Sequence, residues 1–384
     1  MAVLLLAQVD LVLPPPPLAA QELPGPALHR KPRKKVLAIL GAVIGAGATF
    51  AFLKAAKSNS SGCGTLCPVV GGAAIGAVAG FFIGREFDDV FAARFDRAAP
   101  LRIPNLEIQL EGDPLALAAQ NSAIAVASTE GVEVFHTGDI VGPGEHRARG
   151  LRGITAIDIA PKSGWLSVGS PSGLYQFPPL RGPGSLVREG TVTATAASPT
   201  RIYFAVGDRI ESAPYGADTT RGWPGITLAA PARTLGLDQT RGILWAATDR
   251  ALLAFNVAGD SLAAMGTTPL DATPEHLALD RMHVAVAMGE AGVRLFDVGD
   301  PAMPRLIISY TKPRYSYDVS LDSARLFVAA GPEGLYVADL VGSNTRTLGL
   351  ARTLGFASAV RSLDGYTYIL DRRANVVRRI RSLF

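Results

Sequence analysis

The sequence predicts an all-β chain, a seven-bladed β-propeller, preceded by an N-terminal α-helical transmembrane hairpin. Three observations carry that expectation. First, an apolar stretch recurs: GVEVF at Gly131, GLYQF at Gly173, RIESA at Arg209, ALLAF at Ala251, GVRLF at Gly292, GLYVA at Gly334 and NVVRR at Asn375, in steps of 42, 36, 42, 41, 42 and 41 residues. Second, each recurrence follows the same two phrases, an alternating segment ending in a polar turn and then a second apolar segment; AIDIAPKSG and WLSVGS lead to Gly173, and YDVSLDSAR and LFVAAG lead to Gly334. A period of ~40 residues carrying four short strands marks a propeller, because one blade cannot bury its own faces. Third, two long uncharged runs lie upstream of the repeats, at Val36–Leu53 and Val69–Gly84.

Residues 1–35 read as a signal-like or disordered basic leader. The opening MAVLLLAQVDLVLPPPPLAAQE has an apolar run ending in small residues at Ala20, as the late part of a secretory signal peptide does. It lacks a positively charged start, and Asp10 interrupts it, so a Pro-rich leader or an upstream start site fits equally. The basic run HRKPRKK, His29 to Lys35, then abuts the first uncharged run.

Residues 36–84 read as a transmembrane hairpin. Val36–Leu53 is at the short end for a membrane-spanning helix. Gly41 and Gly45 in the first run, and Gly72, Gly76, Gly80 and Gly84 in the second, fall at four-residue spacing. That spacing puts small residues on one helix face, so a second helix can approach closely in lipid. In water so much glycine would cost helix stability. Membrane lipids are therefore expected partners, and self-association through the hairpin is a use open to it. Cys63 and Cys67, in the loop between the runs, form a small disulfide if that loop faces an oxidising compartment, or remain two reduced thiols. Residues 85–104 read as an amphipathic helix and linker, with Phe87, Val90, Phe91 and Phe95 on one face.

Residues 105–384 read as the propeller. The last repeat supplies three strands, SAVRSLDG, YTYILDRR and NVVRRIRSLF, and NLEIQLEG at 105–112 alternates but has no repeat of its own. The strand at 105–112 is therefore expected to complete the seventh blade from outside, which removes an exposed sheet edge. Residues 1–100 hold 10 of the 37 basic and 6 of the 33 acidic residues, which leaves 27 of each for the rest. A neutral propeller gives no argument for nucleic acid as a partner.

Two resemblances add to this reading. GxxxGxxxGxxxG from Gly72 to Gly84 resembles the glycine-zipper hairpins of bacterial envelope proteins, which implies helix association. GVRLFDVGDPAMPRLI, Gly292 to Ile307, resembles the LVIVD repeat family, with Asp297 and the Asp300-Pro301 turn matching and Asp339 a second, partial match. The Asp serves the turn there, by accepting backbone N–H groups. Members of that family are often exported, which implies a bacterial inner-membrane or envelope location with the propeller on the outer side. Five Lys or Arg between Arg30 and Lys35 argue the opposite under the positive-inside rule, and the cytoplasmic side stays open.

No catalytic residue, metal ligand or cofactor is expected. His136, His146, His276 and His283 are scattered without metal-ligand spacing. Asp158 and Asp318 fall inside first strands whereas Asp238, Asp280 and Asp322 fall in the following turns, so these do not make one ring. Trp165, Trp223 and Trp245 do not recur as in quinoprotein propellers, and no phosphate-binding glycine loop or Ser-His-Asp arrangement is recognisable. The C-terminal arginines Arg372, Arg373, Arg378, Arg379 and Arg381 are candidates for an acidic partner or lipid headgroups. The expected role is a membrane-anchored, non-catalytic interaction or scaffolding module with an unidentified protein partner. The competing class is a propeller hydrolase or lactonase with a metal in the central channel, which needs carboxylates from several blades to converge there.

Overall fold

The structure is a computed structural model, and it describes residues 106–137, 144–179, 182–217, 222–258, 261–322, 325–341, 344–351 and 355–381. The leader, the glycine-spaced hairpin with Cys63 and Cys67, and the segment to residue 104 lie outside the described residues. The described chain forms seven four-stranded antiparallel sheets. Six run in simple sequence order, from Pro114–Gln120 out to Glu145–His146 in blade 1 through to Asp318–Asp322 out to Asn344–Ala351 in blade 6. Blade 7 takes Ala357–Leu363, Tyr366–Asp371 and Val376–Arg381 from the C-terminal repeat, and its fourth, outermost strand is Leu106–Gln109. That strand lies antiparallel to Val376–Arg381, with Leu106 opposite Arg379 and Ile108 opposite Val377. The innermost strands touch their neighbours all round the ring, the one in blade 7 touching the one in blade 1.

The second strand of each blade lies in the middle of its sheet, and Ala123–Ser128 and Ile243–Thr248 are buried along their whole length. That is why these strands read as continuous apolar runs instead of alternating ones: both faces pack on neighbouring blades. The core is accordingly divided into seven clusters, one at each blade-to-blade interface. Ile108 of the closing strand joins the cluster between blades 7 and 1, beside Leu117, Ile124 and Tyr368. Burying side chains of this size contributes ~1.5–3 kcal/mol each, so the closing strand contributes packing as well as backbone pairing.

The glycine that leads most repeats has a steric cause. At Gly131 and Gly173 φ is 136° and 153°, and an added Cβ would lie 2.2 Å from the Ala148 carbonyl oxygen and 2.3 Å from that of Arg188. The end of the outer strand thus crosses directly over the start of the third strand. In blade 3, where Arg209 replaces the glycine, Gly225 of the outer strand provides the clearance instead, against the Ile210 carbonyl. The short 36-residue step is absorbed between blades 2 and 3: the outer strand ends at Glu189 and the next inner strand starts at Val192, with only Gly190 and Thr191 between.

Candidate functional site

Four polar side chains from four inner strands converge on the channel. They are Asp158 in Ala156–Ile159 of blade 2, His276 in His276–Leu279 of blade 5, Asp318 in blade 6 and Arg361 in blade 7. Arg361 Nη1 donates to Asp318 Oδ2 at 2.6 Å, and its Nη2 lies 3.0 Å from His276 Nε2. A guanidinium only donates, so Nε2 is the acceptor and the imidazole proton sits on Nδ1, 2.7 Å from Asp318 Oδ1. Asp318 also accepts the N–H groups of Val319 and Val360. Burial alone would raise its pKa, but Arg361, His276 and the Val360 N–H together outweigh burial and hold it at about 2.

Asp158 has the opposite balance. Burial pushes it up to about 6, against the lowering effect of the Ala197 and Ile159 N–H groups and of the Arg361 charge. The residue itself is half-buried. Its Oδ2 accepts from Ala197, on the inner strand of blade 3, at 2.7 Å. Five other neighbouring pairs of blades have a comparable latch. Asn121 donates to the Ala160 carbonyl, Thr193 to that of Ala232, Arg233 to that of Pro274 and Arg372 to that of Pro114, while the Ser362 N–H donates to Ser320 Oγ. The channel polar groups are therefore largely satisfied by one another and by the backbone. Among the described residues no group of three or more His, Cys, Asp and Glu is placed to hold a metal ion.

A second cluster occupies the face at which the inner strands begin, across blades 5, 6 and 7. The blade 5 and blade 6 turns between second and third strands have the form G-x-x-G, at Gly289–Gly292 and Gly331–Gly334. Gly289 bridges to Ser316 and Gly331 to Ala357, on the segments leading into the next blades. An added Cβ would lie 3.0 Å from the Tyr315 ring at Gly289 and 2.6 Å from the Tyr317 ring at Gly331. These glycines leave room for a line of half-buried rings: Tyr315 and Tyr317 with centroids 4.4 Å apart, then Tyr317 and Phe356 at 4.9 Å. Tyr315 donates its hydroxyl to Glu275 Oε1 at 2.6 Å, starting the line on blade 5. That bond first, then burial and the charges of Glu275 and Glu290, pushes the Tyr315 hydroxyl up to about 12. Glu290 and Glu333 sit in the two G-x-x-G turns, Glu290 exposed and Glu333 accepting from Tyr336 and from the Arg314 N–H.

Sequence reasoning did not single out these rings. Their signal was the widened G-x-x-G turn, present in blades 5 and 6, each followed about 25 residues later by an aromatic lead-in to the next blade. The C-terminal arginines, which the sequence groups together, are separated by the fold. Arg378 is buried, pairing with Asp371 at 3.1 Å and with Glu107 of the closing strand. Arg379 is buried with its guanidinium 4.5 Å above the Tyr366 ring. Arg372, Arg373 and Arg381 are exposed. Asp297 accepts the Gly299 N–H at 2.9 Å and pairs with Arg305, and Asp300, followed by Pro301, accepts the Ala302 N–H at 3.0 Å, so this motif shapes its own turn. His283 pairs locally with Asp280, and His136 is exposed on blade 1.

No family model matches the chain, and no curated protein matches it. Among solved structures, 1397 chains match, and a fold shared so widely selects no single function. One of them, from the crystal structure of a mitotic checkpoint complex, is 11% identical with a TM-score of 0.61, over 73% of this chain and 96% of that one. At that identity the likeness concerns the fold alone, and together with the seven sheets it makes this chain a seven-bladed β-propeller.

Proposed function

We propose that this chain is a membrane-anchored protein-interaction module that engages its partner through the face of blades 5 to 7. One observation carries the reading: the line Glu275–Tyr315–Tyr317–Phe356, three half-exposed aromatic rings on the segments leading into blades 6 and 7, tied to Glu275 at the start of blade 5. Tyrosine and other aromatic residues are the side chains that most often anchor protein interfaces. Partner capture by the full chain in detergent should fall on replacing Tyr315 and Phe356 with Ala and persist in Met303→Ala, a change at an exposed turn of blade 5. Equal capture by both variants, with unchanged melting temperature, would refute the reading.

The membrane part rests on the uncharged runs 36–53 and 69–84, their basic flank and their glycine spacing. Among the described residues no helix is long and apolar enough to cross a membrane, and both runs lie outside them. We place the propeller on the outer side of a bacterial membrane, with LVIVD-like repeats. Reporters fused after Phe384 and at Ser60 test this, and an internal C-terminus overturns it. Replacing Gly76 and Gly80 with Leu should dissociate any self-assembly made through the hairpin.

A second reading, a hydrolase or lactonase acting in the channel, is favoured by Asp158, a carboxyl held near pH 6 within reach of the Arg361 charge. It requires turnover of an ester or lactone that Asp158→Asn abolishes.

A further inference from the structure

We infer that the face of blades 5 to 7 receives a basic side chain, Lys or Arg, with an apolar side chain two positions away on the same extended protein segment. This deepens the proposed interaction role and rests on it. Carboxylates surround the rings. Glu275 lies at one end of the line, bonded to Tyr315, Glu290 stands exposed on the adjoining turn, and Glu333 occupies the equivalent turn one blade on. Two of the chain's own cations nearby already have carboxylate partners. Arg294 is tied to Asp271 at 2.7 Å and to the Ala291 carbonyl. Arg314 lies 3.6 Å from Glu333 with its side chain 93% exposed, and Lys312 is exposed on the same lead-in segment. The Tyr315 end therefore gathers two carboxylates, Glu275 and Glu290, beside one ring.

An aromatic face next to carboxylates attracts a cation through both the ring quadrupole and the formal charge. Tyr315 is held by its hydroxyl bond and by its packing on Gly289, which lowers the cost of ordering this ring on binding. The length of the line sets the second half of the inference. Centroid steps of 4.4 and 4.9 Å make the row longer than one side chain needs. Residues i and i+2 of an extended segment point the same way about 6.6–6.8 Å apart. A cation at the Tyr315 end, beside Glu275 and Glu290, then places the i+2 side chain further along the row, towards Phe356, the ring farthest from those two carboxylates. The segment is a basic-x-apolar one.

The test uses the full chain in detergent micelles and fluorescein-labelled peptides of seven residues carrying Arg-x-Leu, Lys-x-Leu, Glu-x-Leu or Arg-x-Glu at the centre, read by anisotropy. Arg-x-Leu and Lys-x-Leu should bind, Glu-x-Leu and Arg-x-Glu should not. Glu290→Gln should weaken the Arg-x-Leu peptide about fivefold, the equivalent of ~1 kcal/mol, and 0.5 M salt should weaken it further. Arg314→Ala should strengthen it. Equal binding of Arg-x-Leu and Glu-x-Leu, or no response to Glu290→Gln, overturns the inference. If basic peptides fail while the Tyr315 and Phe356 double variant still loses its cellular partner, the interaction role stands and only the basic-x-apolar specificity falls. If that double variant keeps its partner, the interaction reading falls with it.

Discussion

Replacing Asp158 with Asn should change the pH dependence of stability more than stability itself. Asp158 is raised from an ordinary value of 3.8 to about 6 because burial disfavours its charge more than its two N–H donors favour it. The folded state therefore holds a proton that the unfolded chain releases, and folding is stabilised by that proton. This contribution is fully present below 3.8 and is lost as pH rises through 6. At ~1.36 kcal/mol per pH unit, the interval from 3.8 to about 6 amounts to about 3 kcal/mol. Asn cannot ionise, and it also replaces one carboxylate oxygen, an acceptor for Ile159 or Ala197, with a donor. That second cost is independent of pH and cancels when the wild-type-minus-variant difference is compared across pH. Urea unfolding of the full chain followed by tryptophan fluorescence suits the purpose, because all three tryptophans, Trp165, Trp223 and Trp245, lie in the propeller. The wild type should gain about 3 kcal/mol relative to the variant between about pH 8 and about pH 3. A difference that stays level over that range would show that Asp158 ionises normally and that the channel is better hydrated than its surroundings suggest.

Asp318→Asn should have the opposite profile: its lowered pKa contributes stability above 3.8 that disappears as pH falls through about 2, and at pH 7 the loss should be at least about 2 kcal/mol. Adding Arg361→Met should restore part of it, which a double-mutant cycle by urea unfolding would measure, because the unpaired guanidinium is then gone. Gly173→Ala should lower the yield of folded protein or cost several kcal/mol, since its Cβ meets the Arg188 carbonyl at 2.3 Å. Gly207→Ala, at φ 57° with open space around it, should cost only ~1–2 kcal/mol in the same denaturation assay. Arg378→Met removes the link between the buried Asp371 and Glu107 of the closing strand; a loss of about 3–5 kcal/mol and faster proteolysis near Leu106 are expected, and unchanged protease resistance would count against the ion pair as the clasp of the ring.

The fold was legible because propeller pairing is local. Blades 1 to 6 each draw three hairpins from one stretch of ~40 residues, so turn residues and apolar strands repeat in register along the chain. The closing strand was legible for a related reason: the last repeat offers three strands, and Leu106–Gln109 alternates without a repeat to belong to. The turn at Asp297 and Asp300-Pro301 could be read residue by residue, because an Asp that accepts the N–H two positions on needs nothing from elsewhere in the chain.

The candidate sites were not legible in the same way. Asp318, Val360, Arg361 and His276 meet although 85 residues separate the last two, and Asp158 shares the channel from a blade on its far side. Whether an acidic residue on an inner strand meets a guanidinium or only backbone N–H groups depends on the neighbouring blade's register, which a repeat pattern does not encode. Arg378 and Arg379 look like members of one solvated cluster, yet a strand from the other end of the chain covers the first and Tyr366 underlies the second. Sequence alone therefore determined the number of blades, the strand order and the sharp turns, all set by interactions within one repeat. Only the tertiary structure decided which charges are buried, which carboxylate is raised and which lowered, and which rings line up on the face of blades 5 to 7. Those properties arise at the seams between blades, where the chemistry depends on residues a whole repeat or more apart.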